Sequence, residues 1–272
     1  MKQITKKVFV ENDLLACNLG LIVTSEGIVM IDTPIKPSDA LKWKEKVLEY
    51  GPIRYLITSE DHGDHACNSY FFPAEHIVSS ISAREAIANT PRDFVLGVLE
   101  KVEPDSAPLL KDYKLLTADI TFAGAMELHL GGLTIRLIPL PGHTERVIGV
   151  YIPEERVVFA SDLIFNRLGT FLSESDPDAW LKSLQSLKEL DVDYIVPGHG
   201  EVCTKDYLDE QAAVVKNWVQ VVKSAIEKGL SEEEALATLK SPDPYSVQAG
   251  TGFTDEYLRT TAIKRFYKLY SK

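Results

Sequence analysis

Thr58 to Asn68 reads TSEDHGDHACN and concentrates the groups that chemistry needs. Glu60, Asp61, His62, Asp64 and His65 follow directly on the apolar run Ile53-Arg-Tyr-Leu-Ile. Carboxylates and imidazoles packed this densely at the end of a strand are costly unless something binds them. The chain has six histidines. Four of them, His62, His65, His143 and His199, lie in turns that close apolar runs: LITSEDHGDH, IPLPGH and YIVPGH. His76 and His129 lie inside apolar runs outside any cluster and read as structural or surface residues. Asp32 and Asp162 close the runs VMID and VFASD. Imidazole and carboxylate are the ligands that zinc, iron and manganese share. Glycines in these turns let the backbone fold tightly and the side chains converge.

Turns that deliver potential ligands from several strands imply one shared sheet edge, and the rest of the chain supplies the strands. Residues 19–24 and 28–32 flank Ser25-Glu-Gly27 and predict a hairpin. Ser38 can cap a helix carrying Leu41, Val47 and Leu48, which Gly51 ends. Strands are expected at 53–57 and 76–79, with a short helix at 82–89. Residues 91–117, with three scattered prolines, are expected to form a partly helical insertion over a cleft. Residues 120–165 are almost all strand. Asp176 as N-cap and Pro177 at the first helical position open a helix with a stripe of Trp180, Leu181, Leu184, Leu187 and Leu190. After the strand at 194–196, residues 206–229, 231–240 and 254–271 predict three amphipathic helices. The capping box Ser231-Glu-Glu-Glu opens the middle one.

A net charge of −11 argues against a nucleic-acid or anionic-membrane partner, both of which need a basic face. The three cysteines, Cys17, Cys67 and Cys203, lie far apart with no CxxC spacing, so neither a disulfide framework nor a thiolate zinc knuckle is indicated. Cys67 reads as a small buried packer. No leader-like segment and no run of about 18 apolar residues is present. A cytoplasmic chain acting on a small molecule is the expectation, with homo-oligomerisation left open.

The order and spacing of Glu60-Asp-His62-Gly-Asp64-His65, Pro141-Gly-His143-Thr, Ser161-Asp162-Leu and Pro197-Gly-His199-Gly resemble the metallo-β-lactamase superfamily over roughly residues 15–204. Its signature is HxHxDH, then GH, a strand-end Asp, and a second GH. The resemblance implies an α/β fold, a four-layer αββα sandwich over residues 1–204, with residues 205–272 as a C-terminal helical extension packed on it. It further implies two divalent metal ions. Carried over by position, Glu60, His62 and His143 would form one metal site and Asp64, His65 and His199 the other, with Asp162 bridging. Asp64 would also act in catalysis by orienting the nucleophile and relaying a proton. Asp32 falls where the family often has an acid bonded to a ligating histidine, which competes with a plain turn aspartate. Asp61 reads as solvent-exposed. Glu145 and Arg146 follow GHT where many relatives have Pro-Gly, which would alter access to the site.

Glu60 departs from the pattern, standing where the family usually has histidine. Either it points away and leaves one site weak, or it coordinates. A third carboxylate would make its ion a poorer Lewis acid and shift preference from zinc toward iron or manganese. The leading expectation is a metal-dependent hydrolase of a small ester, thioester, lactone or related bond. The alternatives are a di-iron redox protein of the same fold and a non-catalytic metal-binding module. The redox reading is weakened by the lack of a GxGxxG fingerprint and of room for a flavin domain after residue 204.

Overall fold

A computed structural model describes residues 1–271. Seven strands, β1 (Lys2–Gln3), β2 (Val8–Glu11), β3 (Leu19–Thr24), β4 (Gly27–Ile31), β5 (Ile53–Ile57), β6 (His76–Ser80) and β7 (Ile120–Phe122), pair in that order. The first four are antiparallel, and β4 to β7 run parallel. A second sheet has the order β12-β11-β10-β9-β8, built from β8 (Met126–Leu130), β9 (Leu133–Pro139), β10 (Ile148–Ile152), β11 (Val157–Asn166) and β12 (Tyr194–Gly200). Its last pair, β11 with β12, is parallel.

Side-chain alternation along the strands explains why the sheets stack. In β4, Val29 and Ile31 face a core shared with Ile135, Leu137, Val150, Ile152 and Phe159 of the second sheet. Ile28 and Met30 of the same strand face Ala40, Trp43 and Val47 of α1 (Pro37–Leu48). A strand buried on both faces must be apolar at every position, as β4 is. The second sheet repeats the logic: Val150 and Ile152 point inward, and Tyr151, Val158, Ala160 and Ile195 point outward. That outer face packs on α5 (Pro177–Glu189), α6 (Tyr207–Glu227) and α8 (Asp255–Tyr270) through Trp180, Leu184, Trp218, Val222, Ile263 and Phe266. Helices, two sheets and helices give the four-layer αββα sandwich, with the C-terminal helices part of its outer layer.

Local signals place most helix starts. Asp176 accepts hydrogen bonds from the backbone N–H of Asp178 and Ala179, with Pro177 in the first turn of α5. Ser231 and Glu234 form both halves of the capping box that opens α7 (Glu232–Thr238). Ser38 corrects its expectation. The helix begins at Pro37 with Lys36 in the cap position, because Ser38 N–H and hydroxyl both donate to Glu103. The buried face of α1 is Ala40, Trp43 and Val47, while Leu48 is exposed. Residues 91–117 contain α4 (Arg92–Val102) and a 3-10 segment at Pro104–Leu110, after α2 (Gly63–Ala66) and α3 (Ile81–Asn89). Val95, Leu99, Leu110 and Tyr113 close this insertion over Ala16, Ile35 and Cys67.

Candidate metal centre

Four chain segments converge at one edge of the sandwich, and each is held by contacts that the sequence supplies locally. The segment after β5 is pinned to both sheets: Thr58 N–H donates to Val78 C=O, and Ser59 C=O accepts from Ile148 N–H, each at 2.9 Å. His62 precedes the single turn of α2, which carries Asp64 and His65. The His143 turn lies against the start of α5, where a β-carbon at Gly142 would stand 2.7 Å from Trp180 Cα. Only glycine allows that approach. Asp162 lies within β11, whose register with β12 shifts on both sides of Ser161, itself at φ +49°. His199 is part of β12 and stacks on Phe165, with centroids 5.1 Å apart and planes within 2°.

These segments bring together all seven residues singled out by the motifs. The potential ligand atoms of Glu60, His62, His143 and Asp162 lie within 4.8 Å of one another, as do those of Asp64, His65 and His199. Asp162 faces both groups. Its Oδ1 is 3.2 Å from His65 Nε2 and 3.2 Å from His199 Nε2, and its Oδ2 is 3.6 Å from His143 Nε2. Asp64 Oδ2 lies 3.4 Å from His199 Nε2, and its side chain is the most accessible of the three acids, with Glu60 fully buried.

Glu60 points into the bay. Its Oε2 is 2.8 Å from His62 Nδ1 and 3.7 Å from His143 Nε2. Its Oε1 accepts the Ser161 hydroxyl at 3.1 Å. Ser161 Oγ in turn lies 2.7 Å from Ser59 Oγ, which donates to Asp32 at 2.6 Å. A hydroxyl chain thus runs from Asp32 to the residue that breaks the motif.

Whether these residues suit a cation is answered by what they lack. Among the described residues, Glu60 Oε2, His65 Nε2 and Asp162 Oδ1 are buried atoms that make no hydrogen bond of acceptable geometry despite nearby ring and carboxylate atoms, and all three face the bay. Such atoms are costly to leave unpaired. The opposite ring nitrogens are occupied: His65 Nδ1 by Asp32 Oδ2 at 2.8 Å, His143 Nδ1 by Phe171 C=O at 2.9 Å, and His62 Nε2 by Glu174 Oε1 at 3.2 Å. An imidazole whose far nitrogen is engaged turns its other lone pair toward a metal. The donor set therefore fits divalent cations.

The electrostatics agree. Burial and the Asp162 charge push Glu60 up, yet His65, His143 and His62 outweigh them and hold it below the ordinary carboxylate range. Burial opposes ionisation of Asp162 too, but His199 and His65 hold it well below its usual value. Burial lowers His62, against which Glu60 and Glu174 raise it well above the ordinary imidazole range.

Other expectations divide. Asp32 holds His65 as the competing reading proposed, and Cys67 is a buried packer in the apolar cluster under α4. Asp61 is not solvent-exposed. Its side chain is 13% accessible because Arg146 Nε donates to it at 2.6 Å. Arg146 also reaches Glu174 at 2.8 Å, so the departure after GHT builds an ion-paired rim. Glu174, Ser59 and Ser161 were not foreseen as parts of the site.

The sequence is similar to several known proteins. It is 33% identical over 177 residues to a Beta-lactamase-like protein 2 homolog of Caenorhabditis elegans, covering 63% of this chain and 52% of that one. It is 21% identical to a linear primary-alkylsulfatase of a Pseudomonas species, covering 92% of this chain and 55% of the relative. The chain thus spans about half the length of these relatives. A solved stereoselective inverting sec-alkylsulfatase from Pseudomonas sp. shares the fold with a TM-score of 0.72 at 15% identity, over 98% of this chain and 50% of that one. The family model of the metallo-beta-lactamase superfamily matches residues 12–199. Most of the sandwich and every turn that faces the bay fall inside that match, and the chain belongs to the metallo-β-lactamase superfamily.

Proposed function

We propose that this chain is a hydrolase whose bay holds two divalent metal ions and acts on a small ester, thioester, lactone or related bond. Glu60, His62 and His143 would hold one ion, Asp64, His65 and His199 the other, with Asp162 between them. The observation that carries this reading is the placement of Asp162. One carboxylate oxygen faces His65 and His199, and the other faces His143.

Divalent ions held there would lower the pKa of water and offset negative charge developing on the substrate. The protein's own part is orientation. Asp32, Phe171 C=O and Glu174 fix three rings from behind, which sets which nitrogen faces the bay. Asp64, half-buried, would take a proton from water and pass it toward a leaving group. Glu60 adds a third carboxylate and biases the bay toward manganese or iron over zinc. The alkylsulfatase similarity over most of this chain adds sulfate esters to the bonds worth testing.

Elemental analysis of protein purified without added metal, wild type and Glu60→His, tests the metal assignment. Manganese or iron in the wild type and a shift toward zinc in the variant support it; identical metal content removes Glu60 from the ligand set. A panel of esters, thioesters, lactones, alkyl sulfates and β-lactams tests the reaction. Turnover without oxygen consumption supports hydrolysis, and oxygen consumption with no bond cleavage overturns it.

A further inference from the structure

A row of aromatic rings starts in the metal bay and ends in solvent. Phe165 stacks on His199 and meets His143 edge-on at 5.7 Å. Phe165 and Phe171 are 5.9 Å apart, Phe171 and Phe253 5.1 Å, and Phe253 and Tyr257 5.0 Å, centroid to centroid. The inner end is fixed to the bay a second time, because the Phe171 carbonyl engages His143 Nδ1. The outer end is open: Phe253 is 46% and Tyr257 43% exposed.

Scattered exposed apolar residues need no explanation, but adjacent exposed rings continuous with a polar bay do. Phe253 ends the stretch Ala249-Gly-Thr-Gly-Phe, which approaches the segment before β3. A β-carbon at Gly250 would lie 3.3 Å from Leu15 Cδ1. Two residues on, the Cys17 thiol donates to Asp64 C=O at 2.8 Å. The stretch that ends in Phe253 therefore lies, through Gly250, against the segment that reaches the Asp64 backbone, while Phe253 itself packs on Phe171 beside His143. Apolar walls beside a few convergent polar groups are the usual make-up of a small-molecule site.

We infer that Phe171, Phe253 and Tyr257 bind the apolar acyl, alkyl or aryl chain of a substrate whose polar end lies in the bay. This rests on the hydrolase reading for the site's use, though not for the binding itself. A fully buried methylene is worth about fourfold in affinity, and a wall open on one side gives part of that per carbon.

Two measurements on the chain as purified separate the claims. In the first, kcat/KM is followed for p-nitrophenyl esters from acetate to octanoate. In the second, acetate and octanoate binding is measured by calorimetry, without turnover. We expect octanoate to be favoured at least about tenfold over acetate in both. Phe253→Ala and Tyr257→Ala, both at exposed positions, are expected to remove most of that preference by weakening octanoate binding and octanoate-ester turnover, with metal content within about twofold. Ester turnover that ignores chain length overturns the wall and leaves the hydrolase reading standing. Octanoate binding that depends on Phe253, with no ester, thioester, lactone, alkyl sulfate or β-lactam cleaved, keeps the wall and removes that reading. A dimer lost in Phe253→Ala, with no octanoate bound by the wild type, assigns the rings to a second copy and overturns the proposal.

Discussion

Gly198 lies directly against Asp162: a β-carbon at 198 would stand 2.0 Å from Asp162 Oδ1 and 2.7 Å from the Ser161 carbonyl carbon. The glycine of the second Pro-Gly-His turn therefore makes room for the acid that faces both histidine groups. Gly198→Ala must displace either that carboxylate or the backbone of β11. We expect a stability loss of about 1–3 kcal/mol from overpacking, together with lower metal retention. Thermal unfolding and elemental analysis check both. A variant with unchanged unfolding temperature and metal content would show that the carboxylate has another resting place.

Glu174 links the rim to the bay. Its Oε1 is 3.2 Å from His62 Nε2, and its Oε2 accepts from Arg146. The His62 hydrogen bond, helped by Arg146, lowers its carboxyl to about 2. Glu174→Gln removes the charge that fixes the His62 ring. Loss of such a supporting partner typically weakens metal affinity about 10–100-fold. Chelator competition should show one weakened ion and one unchanged. The stability of the metal-free chain should shift little, since half-exposed ion pairs are worth about 0–1 kcal/mol. Equal weakening of both ions would contradict a role confined to His62.

Away from the bay, Glu11 offers a pH test of the sandwich itself. Burial alone would push its carboxyl up, but hydrogen bonds from the Met1 amino group and Lys46 outweigh burial and hold it below 4.5. A group depressed in the folded state stabilises above its unfolded pKa and loses that contribution as pH falls through the folded value. The stability gap between wild type and Glu11→Gln should therefore be full near pH 7 and shrink on acidification below about 4.5. Urea unfolding at a series of pH values measures it. A gap that widens toward acid would refute the pairing.

The residues that face the bay were legible because each follows an apolar strand and a tight turn, signals contained within about ten residues. The four-layer architecture was legible only through the family resemblance those motifs carry; in the structure, strands such as β4, apolar on both faces, are covered on each. What tunes the bay was not legible. Glu174 reaches His62 across 112 positions, and Ser161 reaches Glu60 across 101. Neither contact leaves a periodic or local trace. The same cause misplaced the start of α1, where Glu103, 65 positions away, engages Ser38. Asp61 looked exposed because its partner Arg146 stands 85 positions downstream.

A pair of cations held by these distant turns would be joined through a single carboxylate, that of Asp162. Counting bound metal by mass spectrometry, in wild type and Asp162→Ala after equilibration with zinc, manganese and ferrous iron, tests it most directly. About two ions per wild-type chain are expected, with a loss in the variant that touches both groups of ligands. A wild-type chain that takes up no divalent ion, or a variant that keeps the full complement, would contradict it.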